Sequence, residues 1–569
     1  MPLVEVIKTT VRLSKLNDVL TYLKSCFLYV KGQPVIFTQL YFWGFFAVVL
    51  GIYSMIYKKN TLRTFYLLLV SFFFYYKTSG VFLILLIFTI ISDYNWGRLI
   101  FETKSNKKKK VYLTISMLLN LTLLCYFKYA YFFTESVNQL AGTDITFFNH
   151  FTQFSNTFLG TNDPVDKLIL PVGISFFTFQ SISYTIDMYR GKVTPVKSIF
   201  DYGFFVCFFP HLVAGPIVKA NEFLYQIYQP YSLKRQEFGY AIFWILNGLG
   251  KKILADYIAV NYIDRIFDNP NYYSGVETVF GIFGYSLQIY ADFSGYTDIA
   301  IGVALLLGYR LKTNFKSPYK AQDVSEFWKR WHISLSTWLK DYLYIPLGGN
   351  KSGTIGSYIC IAFLSIVLVM LTGKIWLLLV LLFIAIVLVL LAYFFPKVKQ
   401  SVNTNINLLV TMLLGGFWHG SSWLFIIWGG LNGLGLVVHK LWQKISPFKD
   451  SQSFFVKGMM VFITLAFISF TRIFFRSDSL DTVSLIFDRI TNHFGAALTF
   501  NIIQGYALVF FVILVGYLIH WIPESIKEKY RLKFAELPLP VMSLVAVVFV
   551  FVIYQMVSGE MQPFIYFQF

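Results

Sequence analysis

The chain has 569 residues, 56% hydrophobic and 20% aromatic but only 14% charged, with a mean hydropathy of +0.61. Soluble domains carry about 25% charged residues, so composition excludes a soluble globular protein and points to an all-α polytopic membrane protein. The net charge of +19 reads as membrane topology rather than nucleic-acid binding, because the basic residues cluster in short loops.

Residues 1–35 are basic and amphipathic, without the compact apolar core and small-residue cleavage site of a secretory signal, and are expected to lie on the outer membrane face. The rest, 36–569, reads as a single integral-membrane domain with no internal repeat or low-complexity tract. Apolar spans fall near residues 36–57, 62–78, 80–98, 111–133, 167–189, 200–218, 237–262, 277–307, 355–372, 375–396, 406–440, 454–475, 503–522 and 539–558. Some are too long or too broken for one helix, so about 11 to 13 transmembrane or re-entrant helices are expected.

Basic stretches at 58–59, 104–110, 310–340, 397–399 and 527–533 belong in the cytoplasm by the positive-inside rule. The same counting puts loop 134–166 outside. It carries Glu135, Asp144, Asp163 and Asp166, and no lysine or arginine until Lys167. The end, 559–569, has Glu560 as its only charge and also fits outside.

Block 316–351 differs from its surroundings in being polar, basic and rich in tryptophan. At 100° per residue Val324, Phe327, Trp331, Leu335, Trp338 and Tyr342 share one face, with Lys329 and Lys340 opposite and His332 on the flank. Asp323 can cap the start, with Glu326 three residues on. The pattern predicts an interfacial helix on the cytoplasmic side with aromatic anchors towards lipid or core.

Two histidines stand out. His419, in Gly415-Gly416-Phe417-Trp418-His419-Gly420, lies within an apolar stretch, and His332 lies between apolar stretches. An ionisable ring at membrane depth is costly to bury and marks a functional site by default. The plain alternative for His419 is a neutral ring satisfied by one hydrogen bond in a packed bundle. Its crowded indole and glycine setting favours function. For His332 the plain alternative is a partly solvated ring on the edge of an amphipathic helix.

Asp292 and Asp298 lie in or at the end of an apolar span, six residues apart and so not on one helical face. They read better as helix-break caps or partners of nearby Lys/Arg than as paired catalytic carboxylates. Asp187 and Arg190 read as a span terminus. His150, His211, His439, His493 and His520 receive no role. The four cysteines lack metal-ligand spacing and read as packing residues, so neither zinc nor redox chemistry is supported. No nucleophile elbow, phosphate-binding glycine loop or His-Glu-x-x-His is present. What remains is histidine acting on a hydroxyl or thioester.

Several stretches carry a resemblance. They are Leu170-Pro171-Val172-Gly173-Ile174-Ser175-Phe176-Phe177-Thr178-Phe179-Gln180, Phe208-Phe209-Pro210-His211-Leu212-Val213-Ala214-Gly215-Pro216-Ile217, and the run 290–298. Asn314-Phe315, Pro318-Tyr319, Phe327-Trp328-Lys329-Arg330-Trp331-His332, Phe417-Trp418-His419-Gly420 and Phe474-Phe475-Arg476 follow. Together they resemble the membrane-bound O-acyltransferase family, and within it the AlgI-like alginate O-acetyltransferase group. The chain departs from that pattern at His211, where glutamine is expected.

The resemblance implies a ring of helices around a thinned core with a through-membrane tunnel. It implies His419 as the intramembrane catalytic histidine and His332 as the second active-site histidine. Trp328, Lys329, Arg330, Trp331, Ser336, Trp418, Asn314, Asp298 and Gln180 are the implied substrate- or donor-binding residues. No metal and no bound cofactor are implied. The cosubstrate is an acyl thioester on acetyl-CoA or an acyl carrier protein. The implied partners are membrane lipid, an extracytoplasmic acetyltransferase-type protein and a polysaccharide acceptor, at a bacterial inner membrane, with no nucleic acid. Teichoic-acid D-alanylation, peptidoglycan O-acetylation and lipid acylation remain alternatives. A glycan or lipid-linked sugar exporter, with His419 and Asp292 as a proton relay, is the rival of another class, and a scaffold for an envelope synthase is a third.

Overall fold

The computed structural model describes residues 26–30, 35–159, 165, 170–372, 374–449, 451–555 and 564–565. These residues form helices and connecting loops, with no strand among them. Most of segment 1–35, together with Asp163, Asp166 and most of 559–569, lies outside the described residues, and so do the expectations placed on them.

Among the described residues six helices are long and apolar enough to cross a membrane: Asn60–Glu102, Asn106–Ala141, Gly275–Leu306, Trp376–Phe394, Trp423–Ile445 and Phe454–Arg476. Two helix pairs bent by 90° and 120° raise the count to eight if each pair is one span. This is the multi-pass helical architecture expected from composition. The 11 to 13 transmembrane or re-entrant segments read from hydropathy also take in apolar sequence that folds into shorter buried helices, such as Ile174–Tyr189, Ile199–Cys207 and Phe209–Leu212. Hydropathy registers burial, and burial by protein scores like burial by lipid.

Ten helices carry the site: α1 (Asn106–Leu124), α2 (Ala130–Ala141), α3 (Ile174–Tyr189), α4 (Arg235–Ile258), α5 (Gly275–Leu306), α6 (Val324–Arg330), α7 (Ile333–Leu339), α8 (Pro396–His419), α9 (Trp423–Ile445) and α10 (Phe454–Arg476). A π-helical turn, Cys125–Tyr129, joins α1 to α2.

The central seam is α4 against α5. Ser274 and Glu277 form a capping box that starts α5. A Cβ on Gly248 would come within 2.5 Å of the Gly295 carbonyl oxygen, and one on Gly302 within 2.6 Å of the Ala241 carbonyl oxygen. Glycine is therefore required for the two backbones to touch, the usual device where helices pack without water to drive them together. Charges lock the same seam. Lys252 pairs with Asp292 at 2.6 Å and Asp256 at 2.8 Å, and Lys251 pairs with Asp298 at 2.6 Å. Asp292 and Asp298 are thus ion-pair partners within a continuous helix, not caps at a helix break.

Two apolar clusters flank the site. One contains Phe176, Phe177, Phe179, Leu335, Trp338, Tyr342 and Trp418. The other contains Phe327, Trp331, Leu424, Phe425, Trp428 and Phe475. Block 316–351 is not one continuous helix, and its aromatic face packs towards the core rather than lipid. All six residues of the expected face are buried, but Phe327 and Trp331 enter the second cluster whereas Leu335, Trp338 and Tyr342 enter the first. The helix breaks between α6 and α7, at His332.

Candidate active site

His332 occupies the left-handed region, with φ 43° and ψ 55°, and is one of two non-glycine residues with positive φ among those described. That conformation costs about 1–2 kcal/mol in an L-residue, so the surroundings must hold it. They do so through residues 314–316, which run alongside the break. The Asn314 carbonyl accepts the Ile333 N–H at 2.9 Å, and Lys316 N–H donates to the Arg330 carbonyl at 2.9 Å. The Asn314 side-chain oxygen accepts the Ser334 N–H at 2.9 Å and lies 3.3 Å from His332 Nδ1. On the near side of the break, Asp323 caps α6 by accepting the Glu326 N–H at 2.8 Å. The His332 side chain is fully buried, not solvated on a helix edge as the plain alternative required.

His419 is the last residue of α8, 3% exposed. A Cβ on Gly416 would lie 2.4 Å from the Phe425 carbonyl oxygen, and one on Gly429 would lie 2.4 Å from the Met412 carbonyl oxygen. These two glycines let α8 and α9 cross in backbone contact and fix where α8 ends. Gly420 is pressed against the Phe425 ring, whereas Gly415 meets only the tip of Leu339.

The two imidazoles lie edge-on to one another, with centroids 6.4 Å apart and planes inclined at 63°. Trp418 lies 5.0 Å from the His419 ring and 6.3 Å from the His332 ring. Trp428 and Phe475 close on His419 at 5.1 and 5.7 Å, and Phe293 stands edge-on to His332 at 4.8 Å. A stack of Trp338, Phe179 and Trp418, with centroid steps of 3.8 and 5.1 Å, ties α7, α3 and α8 together behind the pair. Both histidines thus sit on the boundary between the two apolar clusters. One cavity of about 60 Å³ reaches His419, lined by Lys128, Trp418, Val213 and residues 170–176.

The other sequence candidates separate into two groups. Asn314, Trp331 and Trp418 belong to the histidine site or its wall. Trp331 also carries the Arg472 guanidinium 4.5 Å above its ring. Trp328 is half-buried against Trp428, and Ser336 Oγ donates to the Trp331 carbonyl at 3.3 Å. Lys329 is exposed, and Arg330 is paired with Glu326 at 2.6 Å on the outward side of α6. Asp298 is held by Lys251 and Asn247 on the α4–α5 seam, and Gln180 is buried in α3 with neither amide atom hydrogen-bonded.

Lys128, Phe293, Trp428 and Phe475 are the residues that sequence reasoning missed. For Lys128 the signal was present, a single cation in the apolar run 111–133, and it falls under the same rule that singled out His419. Its Nζ donates to the carbonyls of Trp418 at 2.7 Å and His419 at 3.0 Å. Asp187, at the end of α3, accepts from Tyr342 at 2.7 Å, and His211 and His520 are buried packing histidines with one backbone contact each. The described cysteines are free, and no group of three metal-ligating side chains occurs among the described residues.

A model of the membrane-bound O-acyltransferase (MBOAT) family matches residues 107–367. Over 474 residues the chain is 31% identical to a Helicobacter pylori protein named peptidoglycan O-acetyltransferase, covering 78% of this chain and 77% of that one. The chain belongs to the membrane-bound O-acyltransferase family. Among MBOAT relatives, it is 35% identical over 367 residues to the probable alginate O-acetylase AlgI of Pseudomonas putida, covering 63% of this chain and 62% of that protein. It is 25% identical over 290 residues to the teichoic acid D-alanyltransferase of Streptococcus thermophilus, covering 50% and 60%. The matched part thus spans between 52% and 62% of three alginate acetylase relatives. The MBOAT family match takes in Lys128, Asn314 and His332, and His419 lies beyond its end.

Proposed function

We propose that this protein is an O-acyltransferase that moves an acyl group, acetyl in the first instance, from a cytoplasmic thioester to hydroxyls of a polysaccharide outside the bacterial inner membrane. The observation that carries the reading is the 6.4 Å pairing of His332 and His419 in a buried, indole-walled site reached by a cavity. A general base needs to stand within hydrogen-bond reach of the proton it removes, in a place from which bulk water is excluded.

In this reading His419 takes the proton of the acceptor hydroxyl as that oxygen attacks the thioester carbonyl. His332, fixed by Asn314, orients the donor or polarises the carbonyl. The exposed Lys329 and Lys340 attract an anionic donor such as the phosphates of acetyl-CoA or an acidic carrier protein. A partner protein on the outer side completes delivery to the glycan.

Mass spectrometry of surface glycans tests the reading. A general base is worth about 100- to 10,000-fold, so His419→Ala should remove ester-linked acyl groups while the protein still inserts and folds. Normal acylation in that variant overturns it. Thioester consumption by the purified protein separates transferase from exporter, because an exporter consumes none. The H. pylori relative favours a second acceptor within the same chemistry, since that alignment covers most of both chains. Acetate esters on peptidoglycan rather than on a secreted glycan would decide for it.

A further inference from the structure

Lys128 is a buried lysine with no carboxylate partner among the described residues. It sits in the π turn between α1 and α2, 9% exposed, inside one of the membrane-length helices. Its protein acceptors are two carbonyls, those of Trp418 and His419. These are the terminal residues of α8, whose carbonyls have no partner further along the helix and form the negative end of its dipole. An ammonium carries three N–H donors, so one remains after the two carbonyls are served.

Lys128 lines the cavity that holds His419, so the remaining donor is available to a group bound there. The same cavity is lined by the start of α3, a 16-residue helix whose N-cap, Gly173, offers no side-chain cap. Gly173 has φ 76°, and a Cβ there would lie 2.7 Å from the Leu212 carbonyl oxygen, so the turn that presents this helix end depends on glycine. Two sources of positive potential, the Lys128 ammonium and the N-terminal end of α3, therefore converge beside the proposed base in a small cavity. Such a space suits an atom that becomes negative only during reaction.

Resting on the acyltransferase reading above, we infer that Lys128 is a further catalytic residue, the donor that binds the acyl carbonyl oxygen as it becomes an oxyanion. The acceptor hydroxyl gives its proton to the His419 imidazole while its oxygen forms a C–O bond to the thioester carbonyl carbon. The carbonyl π pair moves onto oxygen, where it is met by the free N–H of Lys128, which keeps its proton throughout. As the oxyanion collapses the C–S bond breaks, and the leaving thiolate takes the proton from His419. The products are an ester and a thiol, with both side chains restored.

The test uses the full-length protein purified in detergent, with acetyl-CoA as the probe donor, an alginate oligosaccharide as the hydroxyl source, and release of free thiol as the readout. An interaction made only in the transition state lowers kcat and leaves donor KM unchanged. Loss of one oxyanion donor lowers kcat by about 100- to 1,000-fold. Lys128→Met should show that loss with donor KM within about twofold of wild type. A kcat within twofold of wild type, or a lower melting temperature with kcat intact, overturns the inference and leaves Lys128 as a helix cap. Should Lys128→Met not fold, Lys128→Leu, which also removes every side-chain donor, carries the same criteria. His419→Ala is run in parallel. If that variant loses turnover while the Lys128 variant keeps it, this inference alone fails. A wild-type protein that releases no thiol, or a fully active His419→Ala, removes the acyltransferase reading with it.

Discussion

The side-chain oxygen of Asn314 stands 3.3 Å from Nδ1 of His332 and accepts the Ser334 backbone N–H at 2.9 Å. The Ser334 bond fixes which end of the Asn314 amide is oxygen, and an oxygen only accepts. An Nδ1–H on His332 suits this acceptor, and Ser334 Oγ lies 3.5 Å from the same nitrogen. Asn314→Leu removes the restraint, and displacement of a positioned group costs on the order of 10- to 100-fold in rate. Thioester turnover should fall by that order in Asn314→Leu and by less in Asn314→Asp, which keeps an acceptor in place.

His332 also has a backbone role separable from its ring. Asparagine enters the left-handed region more readily than alanine. Of two variants that both lack the imidazole, His332→Asn should therefore melt higher than His332→Ala, by about 1 kcal/mol of stability. Both should transfer acyl groups poorly. Equal melting temperatures would mean that the α6–α7 break relaxes when the ring is lost.

Gly416 controls the position of His419 from one turn away. A methyl group there meets the Phe425 carbonyl at 2.4 Å and the Gly429 Cα at 2.9 Å, both backbone atoms that cannot swing aside. Gly416→Ala should separate α8 from α9, lower the melting temperature and reduce turnover. Gly44→Ala, where nothing lies within 4 Å of the added Cβ, should leave both unchanged and serves as the control.

The pair Lys252–Asp292 is 1% and 6% exposed, whereas Arg98–Glu102 is 59% and 52% exposed. Removing one partner of a buried pair strands the other, at about 3 kcal/mol or more, and Asp292 also accepts the Ile565 N–H at 2.9 Å. Asp292→Ala should therefore destabilise severely. Glu102→Ala should cost less than about 1 kcal/mol. Chemical or thermal unfolding followed by tryptophan fluorescence distinguishes the two.

Lys329 and Lys340 project outward from α6 and the turn after α7. If they attract an anionic donor, the double variant Lys329→Glu/Lys340→Glu should raise donor KM several-fold with kcat little changed. The difference from wild type should shrink as salt rises from 50 to 500 mM, since screening shortens the reach of exposed charges. A KM that responds to neither the variant nor salt would place donor recognition elsewhere.

The histidines were legible because membrane-depth ionisable rings are rare in any sequence, and glycines around 416 announced close helix approach. The α6–α7 break was not legible. Six apolar residues at helical spacing describe a straight stripe equally well, and histidine gives no local signal for positive φ. The partners of Asp292 and Asp298 lie 40 and 47 positions earlier on α4, a distance over which periodicity carries no information. Which apolar segments cross fully and which stay short and buried was not legible either, since apolar content does not say whether lipid or protein will cover it.

The π turn at Cys125–Tyr129 separates the face of α1, where Ser116 and Asn120 bond to Asp93, from the face that delivers Lys128. A π turn houses one more residue than α geometry needs. Deleting a single residue there would let the backbone settle into an ordinary helix with its hydrogen bonds intact. The helices on either side would keep nearly their present phase, so the change would fall on the turn itself, where Lys128 sits. The length of the five-residue segment therefore matters as much as the lysine within it, because the extra residue sets how that side chain meets the end of α8.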